Sequence, residues 1–139
     1  MEDHRVLIVD DDSSVARVLA RAFERAGYVV ATAPDGEWAL TLLADQQIDI
    51  MICDIQMPRM DGRELCRHLT RQGPYLPACT LIVTSRSEHD ERAWVEEFPG
   101  VCLVEKPVGP KQLLRRVRRH LESLPGFDGR ESGEQRRAA

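Results

Sequence analysis

The sequence has 139 residues, 42% of them hydrophobic and 30% charged, with a mass of 15.8 kDa, which is enough for one domain with its own core and too little for two. Formal charge is −4, but residues 1–110 carry 11 Lys+Arg against 19 Asp+Glu, a net of −8, whereas residues 111–139 carry 8 against 4, a net of +4. An acidic body argues against direct nucleic-acid binding, which needs a dense cationic surface, and no stretch approaches the roughly 20 apolar residues of a membrane span.

Five strand-like apolar runs fall at residues 5–10, 28–33, 48–54, 80–84 and 101–105, each followed by a stretch of helical character. The first helix is predicted over 13–27, where Val15, Val18, Leu19, Ala22, Phe23 and Ala26 recur at the spacing of one helix face and Gly27 ends the run. A second helix at 37–46 is marked by Trp38, Leu42 and Leu43, and a third at 62–71 by Leu65 and Leu69. The fourth, at 88–98, is more polar and relies on Ala93, Trp94, Val95 and Phe98. Leu113, Leu114, Val117, Leu121 and Leu124 mark the fifth.

Runs such as VLIVD and IDIMICDI are apolar at nearly every position, as expected where helices cover both faces of a parallel sheet. Right-handed crossovers then give an α/β fold with a doubly wound, five-stranded parallel sheet. The folded domain is expected to occupy residues 1–124. Residues 125–139, PGFDGRESGEQRRAA, hold too little apolar surface to fold alone and read as a flexible polar tail or a truncated linker. Cys53, Cys66, Cys79 and Cys102 form no C-x-x-C pair and have no His at metal-ligand spacing, so buried thiols are expected. His4, His68, His89 and His120 are scattered and read as surface residues. The acidic MEDHR start lacks a secretory core, so a cytoplasmic location is expected.

In a sheet of this kind ligands bind at the carboxyl ends of the strands. The first strand ends in Asp10-Asp11-Asp12, the third in Asp54, the fourth in Thr84-Ser85 and the fifth in Glu105-Lys106-Pro107. Singly, each has an ordinary explanation: an Asp or Thr caps a helix and a Lys decorates a surface. Together they place carboxylates, a hydroxyl and an ammonium on one rim. Clustered carboxylates raise one another's pKa unless a hard cation offsets their charge, and carboxylate oxygens suit Mg²⁺. Lys106 is one of only two lysines against seventeen arginines.

VLIVDDD, ICDIQMPRMDG, IVTS and VEKP together resemble the receiver domains of two-component response regulators, over residues 4–123. The resemblance implies a flavodoxin-like (βα)5 sheet of strand order 2-1-3-4-5. It implies that Asp54 accepts a phosphoryl group and that Asp11 and Asp54 ligate Mg²⁺ directly, with Asp10 acting through a water and the backbone carbonyl of Gln56 completing the protein ligands. Thr84 and Lys106 match the residues that contact the phosphoryl group, and the Lys106–Pro107 bond is expected to be cis. A sensor histidine kinase or a phosphotransfer protein is the implied donor. A downstream effector, or a second receiver in a homodimer, is the implied partner through the face of the last two βα units; the basic run Arg115, Arg116, Arg118, Arg119 and His120 reads either as a solvated polar face or as part of that docking surface, and Trp94, which fits core or interface, is counted with it. The chain is then no enzyme beyond self-phosphorylation and slow self-dephosphorylation.

Departures from the family pattern bear on output. Leu103 stands where a Tyr or Phe is usual, so a rotating aromatic is not expected, and Val108 replaces the Phe common after the Lys-Pro pair. Gln56 and Arg86 occupy positions that in the family tune hydrolysis of the phosphoryl group. Two other readings compete. A Mg²⁺-dependent aspartyl-phosphate phosphohydrolase of the haloacid-dehalogenase type would need a second acid where this chain has Gln56, and room for a cap. A constitutive docking module would have no use for the complete set of Asp10, Asp11, Asp54, Thr84 and Lys106.

Overall fold

The computed structural model describes residues 4–85 and 89–124; Arg86, most of the 85–89 loop and the expected 125–139 tail lie outside the described residues. The elements alternate: β1 Arg5–Val9, α1 Ser13–Arg25, β2 Val29–Ala33, α2 Gly36–Asp45, β3 Ile50–Asp54, α3 Gly62–Gln72, β4 Cys79–Thr84, α4 His89–Val95, β5 Val101–Glu105 and α5 Pro110–Ser123. All strand pairs are parallel and the order is β2-β1-β3-β4-β5, as the sequence led us to expect.

Strand periodicity divides the core in two. Leu7, Val9, Met51, Cys53 and Ile82 face α2, α3 and α4, where they meet Ala39, Leu43, Leu65, Leu69 and Trp94. Val6, Ile8, Ile50, Ile52, Leu81 and Val83 face α1 and α5, where they meet Ala16, Leu19, Phe23, Leu113, Val117 and Leu121. β1, β3 and β4 are buried almost throughout, whereas the edge strand β2 leaves Val29 and Thr32 exposed.

Helix ends follow local chemistry. Asp12 caps α1, accepting from the N–H groups of Ser14 and Val15, and Gly27 stops it with φ of 101°, a conformation that costs glycine little. Asp61 and Glu64 form a reciprocal capping box on α3, at 2.8 and 3.0 Å.

The packing corrects several expectations. Val15 and Val18 are 41% and 58% exposed, whereas Leu19 and Phe23 of the predicted face are buried as expected and Ala16 joins them, so the buried face is turned by less than one residue from the predicted one. Trp38 is 54% exposed, and α2 buries Gly36, Ala39 and Leu43. Trp94, expected at the partner face, is 2% exposed and packs edge-on against Phe98 at 5.9 Å, so it belongs to the core. Helix α4 stops at Val95, earlier than residue 98, and continues only as tight turns from Glu97 to Trp94 and from Phe98 to Val95. His4 and His120 are not simple surface residues: His4 Nδ1 lies 3.9 Å from Asp49, and His120 Nδ1 lies 3.3 Å from Cys102 Sγ. Cys53, Cys66 and Cys79 are buried, as expected, and Cys102 is partly exposed.

Candidate functional site

The period-two alternation that builds the core also aims the site. Residues 6 and 8 of β1, and 50 and 52 of β3, face α1 and α5, so Asp10 and Asp54 continue that parity at their strand tips. The central position of β3 sets Asp54 between β1 and β4. One oxygen from each of Asp10, Asp11 and Asp54 lies within 4.8 Å of the others, the one group of its kind among the described residues. Asp12, in the same acidic run, is excluded from the cluster by its work as the α1 cap.

Burial differs within the cluster. Asp10 is 8% exposed and Asp11 is exposed. Burial pushes the Asp10 carboxyl above its ordinary range, and Asp54 and Asp11 add to the rise; the Asp12 N–H, donated at 2.9 Å, and Lys106 oppose it. A carboxyl held high by lost solvation and neighbouring acids is a group that a hard cation would favour in its charged form. The donor set, all carboxylate oxygen, therefore suits Mg²⁺.

Lys106 reaches Asp54 from the tip of β5, with Nζ 3.5 Å from Oδ1. Its backbone N–H donates to the Thr84 carbonyl at 2.7 Å, so the ends of β4 and β5 are tied together. The Lys106–Pro107 peptide is cis, as expected. Thr84 itself is 2% exposed. Leu103 is half-buried against the cluster that contains Trp94, where its aliphatic side chain acts as filler.

Two clefts flank Asp54. One of about 540 Å³ is lined by Asp11, Ile55, Gln56, Met57, Asp61 and Arg63. The other, of about 530 Å³, runs between α1 and the β5–α5 connection, with Asp10, Asp54, Lys106, Val15 and Val108 among its walls. The small Val108 side chain contributes to that opening. Gln56 is exposed on the first cleft, so the position where a phosphohydrolase would need an acid holds a neutral amide.

Three supports were not read from the sequence. Gly62 lies under Asp54: a Cβ there would sit 3.1 Å from Ile55 Cα and 3.2 Å from the Asp54 carbonyl oxygen. Arg59, at φ of 71°, reaches Asp35 at 3.4 Å and Glu37 at 3.7 Å, joining the β3–α3 loop to the start of α2. The Tyr75 hydroxyl donates to the Gln46 carbonyl at 2.6 Å and accepts from Ile48 N–H at 2.7 Å, which fixes the approach to β3. Only the glycine had a local signal, in its place after the Asp61 cap.

Known proteins are similar to this chain in sequence and in fold. The response regulator MprA of Mycolicibacterium vanbaalenii is 38% identical over 125 residues, covering 90% of this chain and 53% of MprA. MprA of Mycobacterium bovis is 37% identical over 128 residues, covering 92% and 55%. The chain thus spans about half the length of these relatives. The solved structure of chemotaxis protein CheY4 of Vibrio cholerae superposes with a TM-score of 0.80 at 29% identity, covering 86% of this chain and 100% of CheY4. The signal receiver domain of a histidine kinase from Syntrophus aciditrophicus gives 0.76 at 28%, covering 91% and 96%. The sequence profile of the response regulator receiver domain matches residues 6–118, from the second residue of β1 into α5, and the chain accordingly belongs to the response regulator receiver family, whose members serve as phosphorylation-dependent signalling receivers.

Proposed function

We propose that Asp54 is the phosphoacceptor of this receiver, with a phosphohistidine of a sensor histidine kinase or of a phosphotransfer protein as donor. The observation that carries this reading is the convergence of Asp10, Asp11 and Asp54 within 4.8 Å, with Lys106 Nζ 3.5 Å from Asp54 Oδ1. Asp54 supplies the attacking oxygen; the new O–P bond forms as the donor's N–P bond breaks and the imidazole leaves. Asp11 and Asp54 would hold Mg²⁺ directly, Asp10 through a water, and Gln56 through its backbone carbonyl. Bound there, Mg²⁺ supplies positive charge against the phosphoryl oxygens. Lys106 offsets the same charge from the β5 side, and the Thr84 hydroxyl is the phosphoryl group's contact from β4.

The readout is assigned to the face of the last two βα units, through which a downstream effector or a second receiver would dock. Arg115, Arg118 and Arg119 are exposed there and Arg116 is half-buried, so an acidic partner surface suits it. Trp94, being core, contributes from beneath and not as a contact.

Incubation with acetyl phosphate and Mg²⁺ tests the acceptor: the chain should gain the mass of one phosphoryl group and Asp54→Asn should gain none. An unchanged mass gain in Asp54→Asn would overturn the assignment. For the face, beryllofluoride should change hydrogen exchange most in β4, β5 and α5; a change confined to α1 and α2 would overturn it.

A further inference from the structure

The four cysteines do not share one environment. Burial pushes the Cys53 thiol well above its ordinary value and those of Cys66 and Cys79 up to about 12. The thiolate is the reactive form of cysteine, so these three behave as small apolar side chains. Cys102 differs twice over: it is partly exposed, and its Sγ stands 3.3 Å from His120 Nδ1 across the seam between β5 and α5.

A second contact orients the imidazole. His120 also hydrogen-bonds to the backbone of Ala78, just before β4, and that bond favours the protonated ring, so the ring is its donor. With Nδ1 turned toward sulfur, Nε2 carries the donated proton, which leaves the Nδ1 lone pair to accept the thiol S–H. Burial holds His120 below its ordinary pKa and the neighbouring Arg116 acts in the same direction, so the ring rests neutral with that lone pair available. A nucleophile, a base within hydrogen-bond reach and a backbone group that fixes the base make up the arrangement by which weak nucleophiles are activated.

We propose that Cys102 and His120 form a thiol–imidazole couple that makes Cys102 a site of reversible oxidation by hydroperoxides. As Sγ attacks the terminal peroxide oxygen, the thiol proton passes to Nδ1. An S–O bond forms and the O–O bond breaks. The departing alkoxide takes the proton back from the imidazolium and leaves as an alcohol, or as water when the oxidant is hydrogen peroxide. Sulfur loses two electrons and becomes a sulfenic acid, and the peroxide gains them. Cys79, near enough to interact with Cys102, is too deeply protonated to resolve the product, so reversal falls to a small-molecule thiol: one molecule condenses with the sulfenic acid, releasing water and leaving a mixed disulfide, and a second displaces Cys102 as its thiol and leaves as the small-molecule disulfide. Cys102 lies near the start of β5 and His120 near the end of α5, at the edge of the sheet away from Asp54. The added oxygen therefore enters the seam that seats Val117 and Leu121 and acts on α5 independently of the phosphoryl group.

The test uses the full chain with hydrogen peroxide and dimedone, a trap for sulfenic acids, followed by peptide mass mapping. Cys102 should be labelled at least about tenfold faster than Cys53, Cys66 or Cys79, and Cys102→Ser should remove the fast component. His120→Phe and His120→Gln, each verified as folded by circular dichroism, should slow labelling of Cys102 by about tenfold or more; if one variant fails to fold, the other decides. Labelling of Cys102 at the rate of the buried cysteines, or unchanged labelling in a folded His120 variant, would overturn the proposal.

Discussion

The ammonium of Lys106 stands 3.5 Å from Asp54 Oδ1 while the same residue's backbone N–H is donated to Thr84 at 2.7 Å. One residue thus holds the Asp54 carboxylate with its side chain and the neighbouring strand with its main chain. Substitution separates the two roles, because only the side chain is lost. Lys106→Met should leave melting nearly unchanged, since a partly exposed ion pair contributes at most about 1 kcal/mol. Its rate of phosphorylation by acetyl phosphate should fall about a hundredfold, the loss typical when one preorganised charge donor is removed. A large loss of thermal stability with an intact rate would contradict this division.

Asp10 sets a pH dependence. Its folded pKa is raised by burial, so the native state binds the proton more tightly than the unfolded chain. The charged carboxylate then costs stability; that cost is absent below the unfolded pKa and complete above the folded one. Without a divalent cation, stability due to this residue should fall as pH rises through that window. Mg²⁺ competes with the proton, so the stabilisation on adding Mg²⁺, read as a rise in Tm, should grow over the same window, its free energy reaching about 2.7 kcal/mol at about a hundredfold excess over Kd. Asp10→Asn should raise the metal-free Tm at neutral pH and shrink the Mg²⁺ increment. Melting curves with and without Mg²⁺ across pH check both signs.

Gly62 supports Asp54 from below. A methyl group there meets backbone at 3.1 and 3.2 Å, and backbone yields less readily than a side-chain tip. Gly62→Ala should cost about 1–3 kcal/mol, as overpacking does. It should also lower the rate of Asp54 phosphorylation beyond what the lost stability explains, measurable at a temperature where the variant is fully folded.

Buried side chains and an exposed valine of α1 should respond very differently to truncation. Leu19→Ala should cost about 2–5 kcal/mol and Trp94→Ala about 3–5 kcal/mol in denaturant unfolding, because both side chains are buried. Val18→Ala, at 58% exposure, should stay within about 0.5 kcal/mol.

The same contrast shows what the sequence could and could not disclose. The convergence of Asp10, Asp11 and Asp54 was legible because strand endings specify it locally, whereas the strand order and the cis Lys106–Pro107 bond were implied by the resemblance of four motifs to the receiver family. The face of α1 was legible at Leu19 and Phe23 but not at its edge, since Val15–Val18–Leu19 and Ala16–Leu19–Phe23 both have helical spacing and only contact with the sheet chooses between them. Trp94 was misplaced for a related reason: seven residues of α4 give too few turns to define a face. The Arg59 clamp and the Tyr75 tie join segments distant in sequence, at 24 and 27 residues, and nothing local announces them.

Thr84 is 2% exposed in the unphosphorylated chain, and this bears on how strongly a phosphoryl group can act. A modification shifts a conformational equilibrium only by the difference in its interaction free energy between the two states. Where the residue from β4 is already inside and position 103 has no ring to relocate, a phosphoryl group on Asp54 is expected to leave the shape of the domain close to that of the resting chain. A partner that reads this domain must discriminate by the new charge itself more than by shape, so its affinity ratio between the two forms should be modest and should fall as ionic strength rises.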